Sequence, residues 1–69
     1  MNQTQYVLPS DDTWMVRDIT GVEKSRFFSS MMDAIRYART IALKCHSEVI
    51  VLDNDMNILS IASYAKNPY

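Results

Sequence analysis

One stretch of this chain repeats its apolar residues at helical spacing. Met31, Ala34, Ile35, Ala38, Ile41, Ala42 and Cys45 recur every three or four positions and gather on one side of a helix. Ser30 stands just before them as an N-cap residue, and Asp33 follows three positions later, as in a capping box. Asp33 also places a negative charge in the first turn, while Lys44 and His46 place basic groups near the last; the helix dipole favours both. The pattern predicts a helix over about residues 31–46. A lone helix is a severe constraint. The remaining apolar residues must be buried in strands, and this helix must cover whatever sheet they build.

The flanking sequence reads as strands. Thr4–Pro9 alternates polar and apolar residues and stops at a proline, and Ser10, Asp11 and Asp12 supply a turn. Thr13–Ile19 alternates again, with Trp14 and Val16 pointing one way and Met15 and Arg17 the other. Thr20 and Gly21 make the next turn, and Glu23–Phe28 forms a third, less patterned strand. Beyond the helix come Glu48–Leu52 and Asn57–Ser63, both rich in β-branched residues, joined by the connection DNDMN. Short turns imply antiparallel hairpins on each side of the helix. The expected fold is therefore α+β in two layers, an antiparallel sheet of four to five strands on one helix, with the order β-β-β-α-β-β along the chain.

The whole chain, residues 1–69, reads as one small domain, and a core of that size rarely supplies more than roughly 3–5 kcal/mol without a staple. Cys45 is the only cysteine, so no intrachain disulfide can serve, and a reducing, cytoplasmic setting fits. The polar start MNQTQY lacks the basic and apolar regions of a signal peptide, and no apolar run is long enough to suggest a membrane span. The formal net charge of −1 removes the electrostatic argument for a nucleic-acid binder.

DNDMN, Asp53–Asn57, alternates oxygen-bearing side chains like the start of a calcium loop. Such a loop needs glycine at its sixth position and a bidentate glutamate at its twelfth, where this chain has Ile58 and Tyr64. Asp and Asn cap their own backbone in turns, so a sharp corner explains the segment without a metal. Cys45 and His46 are adjacent, but neighbouring helical residues diverge and do not form a nucleophile–base pair. Cys45 falls on the apolar stripe as a small buried residue. No phosphate-binding glycine loop, nucleophile elbow or zinc spacing occurs. The expectation is a protein that is not an enzyme, with no cofactor, no metal and no small-molecule substrate.

The outward side of the helix mixes charge with apolar residues. Arg36, Arg39, Lys44 and His46 lie there, with Met32 and Leu43 beside the arginines. Isolated exposed apolar residues are ordinary, but the mixture also suits a docking surface. Met32, Arg36, Arg39 and Leu43, together with Trp14 and Tyr64, are the expected interaction residues.

The segments YVLP, WMV, SMMDAIRYART, EVIVL and DMNI, and the ending SYAKNP, follow one another at spacings that resemble the prokaryotic Domain of Unknown Function 2188 family. The resemblance runs from about Tyr6 to Pro68. It rests most on Trp14 with Val16, on Ala34, Ala38 and Arg39, and on Ser63, Tyr64 and Pro68. Three turn glycines of the family pattern are replaced here: Thr13 stands before the tryptophan, Met56 follows Asp55 in the last hairpin, and Ala65 follows Tyr64. Asn54 or Asn57 would then carry positive φ in that hairpin. The resemblance implies a small bacterial or phage protein with no assigned activity or catalytic residues.

The last two strands carry the functional expectation. Val49 and Val51 oppose Ile50 and Leu52, and Leu59 and Ile61 oppose Ile58 and Ala62, yet nearly all are large and apolar. One helix covers one face of a sheet, so the second face carries an apolar patch that monomers seldom leave in water. The chain is expected to self-associate or to dock a protein partner through that face, with a two-fold homodimer as the default. The alternative is nucleic-acid binding, with Tyr6, Trp14, Phe27 or Tyr64 stacking on bases and Arg17, Arg26, Arg36 and Arg39 meeting phosphates.

Overall fold

A computed structural model describes residues 4–18 and 25–64. The turn expected at Thr20–Gly21, residues 23 and 24 of the third strand expected over Glu23–Phe28, and the terminal segment from Ala65 onward lie outside the described residues, and Ser25 is not part of a strand. The elements are β1 (Gln5–Ser10), β2 (Thr13–Asp18), β3 (Arg26–Phe28), α1 (Met31–Cys45), β4 (Glu48–Leu52) and β5 (Ile58–Ser63).

The helix begins as its sequence requires. The Ser30 side-chain oxygen accepts from the Asp33 backbone N–H at 3.1 Å, which satisfies one donor of the unpaired first turn. It ends at His46, which adopts the left-handed conformation (φ 53°, ψ 47°), so that its N–H returns to the Ala42 carbonyl. His46 is thus the C-terminal cap, and Lys44 is the basic residue of the last turn.

The five strands form one sheet in the spatial order β3-β2-β1-β4-β5. It is mixed, which corrects the antiparallel sheet expected above: β1 and β4 are parallel, while the other three pairings are antiparallel. The cause is one of direction. β3 runs the same way as β1, the helix carries the chain back across the sheet, and β4 sets out again beside β1. A parallel pair needs just such a crossover. Thr4 and Glu48 tie the two strands at their N-terminal ends through a side-chain hydrogen bond of 3.3 Å.

The core is thin. Ala34, Ala38 and Ala42 are fully buried at i, i+4 spacing and lie against Val7, Val16, Val49 and Val51 of the sheet. Methyl side chains let the helix sit close to the strands, and the largest fully buried side chains are Val7 and Val16. Trp14, Phe28, Met31, Ile35, Tyr37 and Tyr64 close the margins as partly buried residues. Among the described residues the fully buried side chains are small, so each removes little apolar area from water.

Candidate interaction surface

The register of the strands decides which side chains face away from the helix. Val7 pairs with Val16 and with Val51, and all three are buried beneath α1. Their strand neighbours therefore point to the opposite face. There the pairings Leu8–Met15 and Met15–Phe27 set one apolar row across three strands, and Arg17–Tyr6, Tyr6–Ile50 and Ile50–Ile61 set a second across four. No described helix covers this face. Phe27 is 57 % exposed and Ile61 59 %. The described strand residues on this face include two charges, Arg17 and Glu48, both near the same end of the sheet. Tyr6, Leu8, Arg17, Leu52 and Met56 enclose a shallow depression of about 300 Å³ on it.

Trp14 and Tyr64 belong elsewhere. Both pack against the buried cluster, and Trp14 pairs with Phe28 on the helix-covered side. Met32 (61 % exposed) and Leu43 (53 %) are exposed on the helix, as are Arg36 and Arg39. The helix orientation follows from Tyr37, whose ring lies 5.3 Å from that of Phe28 and under the Arg26 guanidinium at 5.9 Å. Tyr37 thus faces β3. Ile35 and Arg39, two positions either side of it, lie about 200° around the helix, toward the β4–β5 side. Met32 and Leu43 fall on the same flank.

The aromatics of the open face and the helix arginines are consequently on opposite layers. Tyr6 and Phe27 share the open face with Arg17, whereas Arg36 and Arg39 lie beyond the other side of the sheet. Leu8 and Met15 entered no sequence expectation of a site, whereas Ile50 and Ile61 belonged to the apolar face expected of the last two strands. Their signal was present as the second phase of each strand's alternation, and it became a surface only when register aligned the strands.

The acidic end of the molecule is built from its turns. Because β1 and β4 are parallel, the Asp11–Asp12 turn and DNDMN emerge at the same end, around a cavity of about 310 Å³ that Trp14 and Leu59 also line. DNDMN is a self-contained corner. The Asp53 carboxylate Oδ1 accepts from the backbone N–H groups of Asp55 (2.8 Å) and Asn57 (2.9 Å), and its main chain bonds Asn57 and Met56. Hydrogen bonding to the ionised form, led by the Asn57 N–H, holds the Asp53 carboxyl below the usual aspartate value. Met56 carries the positive φ of this turn (66°), not Asn54 or Asn57. Cys45 is half-buried at the helix end, and His46 is exposed beside it. Among the described residues, no helix is long and apolar enough to cross a membrane.

The profile of the family DUF2188, described as an uncharacterized protein conserved in bacteria, matches residues 5–64. No curated protein and no solved structure matches the chain.

Proposed function

The chain belongs to the DUF2188 family of bacterial proteins, and we propose for it a non-catalytic role: docking a protein partner through the open face of its sheet. The observation that supports this is the pair of apolar rows, Phe27–Met15–Leu8 and Tyr6–Ile50–Ile61, running across the sheet without a covering layer among the described residues. A contiguous apolar surface with charge confined to its margin has the anatomy of an interface core and rim. The carboxylate with the strongest claim to chemistry, Asp53, is occupied by its own turn. The lone cysteine fits a reducing compartment, the cytoplasm of the host.

The test is a comparative capture experiment in host extract, using the full chain and the variant Phe27→Glu. Phe27 is exposed on a short edge strand, so the charge enters the open face at little cost to folding. A protein retained by the wild type and lost with Phe27→Glu, at unchanged circular dichroism, is the expected result. Retention of the same proteins by both forms overturns the proposal.

A second reading draws on one observation, the presence of Tyr6, Phe27 and Arg17 on the same open face, where bases could stack. Labelled single-stranded probes decide it. Binding that weakens steeply as salt rises marks phosphate contacts, and absence of binding at low salt removes the reading.

A further inference from the structure

We infer that the open face takes an acidic segment of its protein partner: an apolar side chain seats between Leu8, Leu52 and Met56, and a carboxylate two residues along the same segment meets Arg17. This rests on the docking role proposed above and names the chemistry of the partner.

The depression on the open face joins two unlike halves. Leu8, the buried Leu52 and the exposed Met56 line its apolar half. Methionine is unbranched and adaptable, so it closes over side chains of different shape. Tyr6 and Arg17, which face each other across β1 and β2, line the other half. At about 300 Å³ the depression lies at the lower limit of small-molecule sites. It is shallow as well, and so suits one side chain of a larger partner better than a whole ligand.

Arg17 supplies the charge complementarity. Among the described residues its guanidinium has no hydrogen-bond or ion-pair partner, and neither has the Tyr6 hydroxyl. Glu48, the other charge of this face, accepts from the Thr4 hydroxyl. Arg17 is half-buried in a row that continues through Tyr6 to Ile50. Beside apolar neighbours a charge-assisted hydrogen bond is stronger than in open water. The guanidinium fork matches one carboxylate, with the tyrosine hydroxyl as a further donor. Recognition of phosphate groups uses clusters of arginines, and here there is one. The other end of the depression sets the direction of the segment. Met56 belongs to the turn that carries Asp53 and Asp55, where a second carboxylate would meet like charge. Spacing follows from the strand. Tyr6 and Leu8 stand two residues apart on β1, about 7 Å. An extended segment presents alternate side chains at the same interval, which places its acid two positions from its apolar residue.

A phage-displayed library of random peptides, panned on the full chain at low salt, is the test. The expected consensus is a large apolar residue two positions from Asp or Glu. A labelled peptide of that consensus should bind in fluorescence anisotropy and lose about tenfold or more in affinity when its acid is replaced by the amide. Arg17→Gln should cause the same loss at unchanged circular dichroism, and Arg17→Lys a smaller one, because it keeps the charge without the fork. Panning that enriches nothing, a consensus without an acid, or equal binding to wild type and Arg17→Gln overturns the inference. The docking role itself is judged separately, by the Phe27→Glu capture: partners lost with Phe27→Glu but kept by Arg17→Gln sink only the acidic segment.

Discussion

Met56 shows what a single side chain costs when a turn needs a left-handed residue. Its φ of 66° lies where a Cβ meets the neighbouring carbonyl. Glycine would relieve this at some entropic cost. Met56→Gly is expected to raise stability by about 0.5–1 kcal/mol, read from urea denaturation. Asp53 works in the opposite sense. Its folded carboxyl titrates below the ordinary aspartate value because the charged form accepts two turn N–H groups. The unfolded chain therefore binds the proton first, and the stabilisation is complete above about pH 4 and disappears as pH falls through the lowered folded value. Melting temperatures measured from pH 6 to 2.5 should show the wild type losing stability relative to Asp53→Asn below about pH 4. Parallel curves would rule this account out.

The elements divide into those that specify themselves and those that depend on neighbours. The helix carries its own start signal in Ser30 and Asp33, and its apolar stripe set its position within a residue of the observed Met31–Cys45. Strands β4 and β5 were equally plain from their β-branched runs. What the helical stripe could not reveal was its division of labour. Ala34, Ala38 and Ala42 make the close approach to the sheet, while Met31 and Ile35 stay half-exposed at the margin. The alanines are therefore where extra volume should hurt. Ala38→Leu is expected to destabilise the domain by about 1–3 kcal/mol, measured by chemical denaturation, because the helix must lift from Val7, Val16 and Val51 to admit it. No loss would mean that the helix–sheet contact is looser than these residues indicate.

At the scale of the molecule, the described residues form a sheet with more surface than their one helix covers. Its fully buried residues are small, its open face is apolar, and its outermost strand lies beyond the helix. These three properties point the same way: on the proposed reading, docking a partner removes Tyr6, Phe27 and Ile61 from water and adds to the stability of a thin core. The layered layout also separates the charged helix flank from the open face, so Arg36 and Arg39 do not share a surface with Tyr6 and Phe27. Trp14 and Tyr64 instead support the core.

The amino-acid order by itself determined where the helix lies, which runs become strands, that DNDMN is a corner, and that one helix is too few for the apolar residues present. Those properties are local: capping, alternation and turn chemistry act within a few positions. Only the tertiary structure decided that β4 returns parallel to β1, that β5 becomes an outer strand, and which phase of each strand faces away from the helix. The physical reason is that strand pairing joins residues far apart in the chain. Gln5 lies beside Val49 across a contact that no local pattern encodes, and from that pairing follow both the open face and the outer position of β5.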